Sequence, residues 1–298
     1  MEPDGIILID KPGGITSHDA VNRMRRLLRT KKIGHTGTLD PGATGLLVVL
    51  AGRAAKAAEY LFADEKEYGA VMRLGVTTDT QDADGKTVSV CVDLPGEDGV
   101  RKAAESFIGP YMQTPPMYSA LKQNGRKLVD LARRGVEIER EPREVFIKEL
   151  KIKRLSESDY GISVVCSKGT YIRTLCDDIG KKLGCGACMA SLRRIRSGGF
   201  DVSDAVTLDE CEKMTYEELC GRLIGTEELF SQLPVLKLDG FFLKLCKSGC
   251  EIYQKKIGSH FEPGQRVRLY DGDGFFALGE VGEYDDGTAV KSIKVFRL

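Results

Sequence analysis

GHTGTLDPGATGLLVVL, residues 34–50, sets one carboxylate, Asp40, among four glycines and directly ahead of an apolar run. Pro41 fixes its own φ and biases Asp40 toward extended backbone, which narrows the directions its carboxylate can take. Glycines, lacking Cβ atoms, let a bulky group approach the main chain. The run GLLVVLAG (45–52) has the length and composition of a buried strand. No Gly-Lys-Ser/Thr signature of a phosphate loop is present, and the glycines precede a strand rather than a helix. His35 and Asp40 alone are too few for a metal site, and one local carboxylate is too few for a glycosidase pair. A loop presenting one preorganised nucleophile or base fits these residues, and so does an Asx turn capping a hairpin.

Working outward, IILID (6–10) reads as a short strand ending in a Pro-Gly turn, and Ser17 as the N-cap of a helix reaching about Leu28. Downstream come an Ala-rich helix, RAAKAAEYLF, a strand, KEYGAVMRLG (66–75), and a polar loop, TTDTQDADGKT (77–87). VFIKELKIKRL (145–155) alternates as a half-buried strand does, and residues 160–184 read as strand, glycine turn and helix. Strands and helices mix without a regular βαβ rhythm, which predicts an α+β fold on a mixed sheet. Near Leu233-Pro234 the texture shifts to short strands with Gly-rich turns, so we expect one large domain over 1–230 and a small β-rich domain over 231–298.

The 298 residues are 42% hydrophobic and 30% charged, as in ordinary soluble proteins. No segment approaches the ~20 apolar residues of a membrane span. The acidic N-terminus has no basic n-region, and nine scattered cysteines argue for a reducing compartment, so a cytoplasmic location is expected. Cys185 and Cys188 (C-x-x-C), like Cys246 and Cys250, read as buried free thiols rather than metal ligands. The zero net charge hides an uneven distribution: six basic residues and one acid from Ser17 to Lys32, and six acids with no base from Asp271 to Asp286. Basic faces of that kind suit a polyanionic partner.

IDKPGGITSHDAV, GHTGTLDPGATGLL, KEYGAVMRLG, TDTQDADG, PPMYSALKQNG and SKGTYIRTLCDDIG occur in the order seen in bacterial tRNA pseudouridine-55 synthases, a resemblance covering roughly residues 5–200. The resemblance implies a pseudouridine synthase fold, a largely antiparallel mixed sheet flanked by helices, followed by a PUA-like domain. It implies isomerisation of one T-loop uridine of tRNA after the base is flipped out, with neither metal nor organic cofactor. Asp40 matches the family's essential aspartate, Arg173 its arginine partner, and Tyr68 the tyrosine that stacks on the target base. Tyr171 matches a second aromatic of the pocket, His35 a residue that takes the place of the extruded base, and Lys11 a loop lysine that supports the site or meets phosphate. Arg23 and Arg26 on the first helix, and Lys122, Arg126 and Lys127 in an RNA-clamping insert at about 112–142, are expected to contact RNA backbone. tRNA is the expected partner; no protein partner is implied, and a monomer is expected. Two other functions share these features: modification of a different RNA, and a tRNA-folding chaperone without catalysis.

Overall fold

The computed structural model describes residues 2–60, 65–123 and 125–297, and the side chains of Lys122 and Lys127 lie outside what is described. Its centre is a ten-stranded sheet. In chain order the first strands and helices are β1 (Gly5–Lys11), α1 (Ser17–Leu27), β2 (Ile33–His35), β3 (Thr44–Ala51) and β4 (Lys66–Leu74). A small hairpin follows, β5 (Val76–Thr78) and β6 (Thr87–Val90), then α2 (Glu97–Glu105) and β7 (Gly109–Gln113). A two-stranded ribbon, β8 (Lys122–Gln123) and β9 (Arg126–Lys127), leads into the short α3 (Leu128–Ala132). The sheet is completed by β10 (Arg143–Arg154), β11 (Asp159–Cys166), β12 (Ala187–Ser197), β13 (Phe200–Asp201) and β14 (Val206–Thr207), with α4 (Ile172–Leu183) between β11 and β12.

The sheet runs β14-β1-β3-β12-β4-β11-β10-β7, with β2 on β3 and β13 on β12. Only β1–β14 and β3–β12 pair in parallel. β1 and β3 are apolar without alternation because both their faces are covered. Ile7, Ile9, Leu47 and Val49 join the main core, while Ile6, Leu8, Leu46 and Val48 pack into a second one on the opposite face. In β4, by contrast, Tyr68, Ala70, Met72 and Leu74 are buried and their alternate neighbours are partly open. Asp40 therefore lies where the doubly covered half of the sheet gives way to the half with one open face.

A separate five-stranded sheet holds β15 (Val235–Lys237), β16 (Ile252–Tyr253), β17 (Arg266–Asp271), β18 (Gly274–Tyr284) and β19 (Gly287–Val295). Ala57, Phe230, Leu278 and Phe296 form an apolar joint between it and the rest of the chain. Among the described residues no helix is long and apolar enough to cross a membrane.

Four local expectations need correction. Cys250 is exposed, unlike the buried thiols Cys185, Cys188 and Cys246. The N-cap of α1 is Thr16, not Ser17: Thr16 and Asp19 form a reciprocal capping box. The Ala-rich segment is a 3-10 helix over Gly52–Tyr60, and the predicted continuation through Leu61 and Phe62 lies outside the described residues. The ends of the polar loop at 77–87 are strand, since β5 and β6 pair across it.

Candidate active site

Asp40 sits in the connection between β2 and β3, and neighbouring elements tie that connection down almost residue by residue. Ser17, released from capping, accepts the Leu39 N–H at 2.8 Å and donates to the Leu39 carbonyl at 3.0 Å. The carbonyl of Asp40 accepts the Ala43 N–H at 3.1 Å, and that of Pro41 accepts the Gly14 N–H at 2.9 Å. Lys11, at the end of β1 and 0% exposed, donates from Nζ to the carbonyls of Pro12, Ile15 and Pro41 at 2.7, 2.8 and 3.2 Å. Lys11 thus has no surface to offer a phosphate; its ammonium knits the first turn of the chain to the aspartate loop. Burial pushes Lys11 down to about 8, against the pull of Asp40.

Arg194 does the same from below. Also 0% exposed, it donates from Nε to the Leu46 carbonyl at 2.7 Å and from Nη2 to the Gly37 carbonyl at 3.1 Å. β12 and β3 approach so closely here that a Cβ on Gly45 would stand 2.2 Å from the Arg194 carbonyl oxygen, which with φ +98° makes glycine the residue for that place. Sequence reasoning missed Arg194, although one signal was available: it shares the inward register of β12 with Leu192.

Arg173, in the first turn of α4 and 4% exposed, bridges three loops. Its Nη2 donates to Asp40 Oδ1 at 3.1 Å and to the Tyr118 carbonyl at 3.0 Å, and Nη1 donates to the Thr80 carbonyl at 3.1 Å. Nε lies 2.8 Å from Asp40 Oδ2, close enough for charge attraction but too bent for a hydrogen bond. Asp82 Oδ2 stands 3.6 Å from Nη1. The polar loop between β5 and β6, to which the sequence assigned no site residue, therefore helps build the site through Thr80 and Asp82.

The Asp40 side chain keeps 34% of its surface open. It forms part of the wall of two adjoining cavities, of about 340 and 780 Å³, sizes in the range of small-ligand sites. Burial raises the Asp40 pKa above the ordinary carboxylate value; Arg173 opposes the rise and Asp82 adds to it. Tyr68 and Tyr171 line the smaller cavity, and burial pushes both phenols up, so both stay protonated at neutral pH. His35 lines the larger one; burial and the Arg194 charge push its imidazole down, and its Nδ1 is buried without a hydrogen-bond partner.

The structure thus brings Asp40, Arg173, Tyr68, Tyr171 and His35 to one place and leaves Arg23, Arg26 and Arg126 outside it. Arg26 and Arg126 are exposed, and Arg23 lies partly open, 3.7 Å from Glu212. Lys122 and Lys127 fall on β8 and β9, with side chains outside the described residues. Among the described residues no three His, Cys, Asp or Glu side chains are grouped to hold a metal.

Comparison with known proteins places this geometry in context. Residues 25–172 match the model described as TruB family pseudouridylate synthase (N terminal domain). Residues 173–230 match the one described as tRNA pseudouridylate synthase B C-terminal domain. A tRNA pseudouridine synthase B of Syntrophotalea carbinolica is 43% identical over 92% of this chain and 91% of that protein. One of Aromatoleum aromaticum is 41% identical over 98% of this chain and 92% of that protein. Among solved structures, a chain of an archaeal box H/ACA sRNP Nop10-Cbf5 complex superposes with a TM-score of 0.72 at 26% identity. That match covers 99% of this chain and 86% of the other.

Proposed function

Because this chain belongs to the TruB family of pseudouridylate synthases, we propose that the site around Asp40 converts uridine 55 in the T-loop of tRNA to pseudouridine. In that isomerisation the N1–C1′ bond breaks, the uracil turns, and C5 bonds to C1′. The proton on C5 leaves and N1 gains one, so no redox partner or second substrate is needed.

The chemistry asks for a carboxylate at the nucleoside, a site that excludes water, and a means of holding the base while it is detached. Asp40 is the carboxylate placed at the nucleoside. Arg173 keeps it ionised despite its burial and fixes its direction. Tyr68, whose phenol is held protonated, acts as a stacking surface rather than a base, and Tyr171 is the second aromatic of the pocket. His35, neutral and with an unused nitrogen, replaces in the RNA stack the base that has left it.

Extruding a nucleotide costs a few kcal/mol, which contacts elsewhere on the tRNA must supply. Arg23, Arg26 and Arg126, with Lys122 and Lys127, are the cations proposed to meet the T-arm backbone, the last three from an insert that clamps the RNA. Residues 231–298 form a separate PUA-like domain in this reading. Phosphate contacts of this kind weaken steeply as salt rises.

The observation that carries the reading is the Asp40–Arg173 contact on the wall of a nucleoside-sized cavity. The test is incubation with an unmodified tRNA transcript and mapping of every modified uridine. Pseudouridine at position 55, absent with Asp40→Asn although that variant still binds tRNA, is the expected result. Modification at another position, or an active Asp40→Asn, overturns it.

A further inference from the structure

Gln113 is the last residue of β7 and pairs with Arg143, the first of β10, so these two residues form the root of the insert between them. Its side chain is not directed along the sheet. At 1% exposure, it grips both backbone groups of a single residue: Oε1 accepts the Tyr171 N–H at 2.7 Å, and Nε2 donates to the Tyr171 carbonyl at 3.0 Å. Tyr171 is the N-cap of α4, in extended backbone, and has no side-chain cap of its own. A swing about its two soft dihedrals would move the Tyr171 ring in the cavity and the Arg173 fork two residues on.

Arg173 in turn holds the Tyr118 carbonyl of the insert. The first residues of the insert are therefore fastened to the start of α4 at both ends, by Gln113 on Tyr171 and by Tyr118 on Arg173. Motion of the insert beyond Tyr118 is isolated from the Asp40–Arg173 geometry only while both fastenings hold. A carboxamide suits this task because it supplies one acceptor and one donor at fixed separation.

On the reading that this site makes pseudouridine, we infer that Gln113 is a positioning residue: it clasps the N-cap of α4 so that Tyr171 and Arg173 stay aimed at the nucleoside whatever the insert does. It touches neither RNA nor Asp40. Loss of the clasp should lower the rate of the chemical step and leave tRNA affinity intact.

The test compares wild type, Gln113→Ala and Gln113→Glu for tRNA affinity, single-turnover rate and the pH dependence of that rate. For Gln113→Ala the rate should fall roughly 10- to 100-fold, with affinity within about twofold of wild type. Asp40 faces Arg173, Asp82 and Lys11. A loosened Arg173 stabilises the carboxylate less, so the acid limb should move to higher pH. Gln113→Glu has nearly the same shape and keeps the test valid should the alanine variant fail to fold. Its carboxylate accepts from Tyr171 N–H but repels the carbonyl, and protonation restores the donor, so its deficit should narrow as pH falls. Wild-type rates in both folded variants, a loss confined to tRNA affinity, a slower Gln113→Ala rate with an unmoved acid limb, or a Gln113→Glu deficit that does not narrow as pH falls would each overturn the inference. A wild-type protein that modifies no uridine would instead sink the proposed reaction.

Discussion

Beside the Asp40–Arg173 pair, the other two buried cations of the site, Lys11 and Arg194, point at carbonyl oxygens; in the C-terminal sheet the partly open cations are paired with carboxylates. Lys11 and Arg194 donate five hydrogen bonds to main-chain carbonyls of the aspartate loop and its surroundings. Arg266 is paired with Glu280 and Arg268 with Glu227, each at 3.0 Å, while Lys247 and Arg297 share Asp271. The second arrangement neutralises charge and binds the module together. The first fixes a backbone and places the Lys11 charge near Asp40, where it favours the ionised carboxylate against burial and against Asp82. Charge of the same sign thus ties a module together in one region and fixes the backbone around Asp40 in the other.

If this contrast is right, substitutions in the two regions should separate cleanly. Arg173→Lys should slow turnover on the order of 10²- to 10³-fold, because an ammonium cannot reproduce a fork shared among Asp40, Thr80 and Tyr118; single-turnover kinetics at saturating enzyme check it. Lys11→Met leaves the Pro12 and Ile15 carbonyls without their buried donor and frees one side of Pro41. Its rate should drop about 10- to 100-fold with tRNA affinity little changed, as read from rate and binding measured side by side.

A smaller effect is expected for Asp82→Asn. Asp82 raises the Asp40 pKa, so removing its charge lowers it, and the acid limb of the rate profile should move to lower pH. Turnover at neutral pH should fall about tenfold as Arg173 loses a neighbour that orients it. The smallest effect on catalysis should come from Asp271→Asn, with no change in rate. Burial works upward on Asp271, but Lys247, the Asp273 N–H and Arg297 outweigh it and hold the carboxyl down to about 2. A depressed folded-state value means stability that is present above the unfolded value, near 4, and is lost as pH falls toward 2. Denaturant melts from pH 5 to 2 should therefore show a shallower decline for the variant than for the wild type.

How much of this was legible in the chain depends on the range of the interaction. The strands β1, β3 and β4 follow from local apolar pattern and a mixed sheet from the lack of a βαβ rhythm, whereas its largely antiparallel pairing came from the family resemblance. Asp40 and Arg173 came from motifs in the right order. Ser17 was misread because a hydroxyl just before an apolar helix face is a good cap by local rules, whereas tertiary structure uses it 22 residues away on Leu39. Lys11 looked like a turn lysine because nothing local shows that the carbonyls of its own turn and of Pro41 converge on it. Gln113 and Tyr171 are 58 residues apart, and Arg194 and Gly37 are 157 apart. Side-chain-to-carbonyl bonds of that span leave no periodic trace in composition or spacing.

Central to the account is a loop that is rigid before any RNA arrives. Amide hydrogen exchange of the free protein reads this directly at Gly14, Leu39 and Ala43, whose N–H groups bind Pro41, Ser17 and Asp40. The account predicts slow exchange at all three without tRNA and little further slowing on its addition. Exchange at unstructured-chain rates until tRNA binds would contradict it.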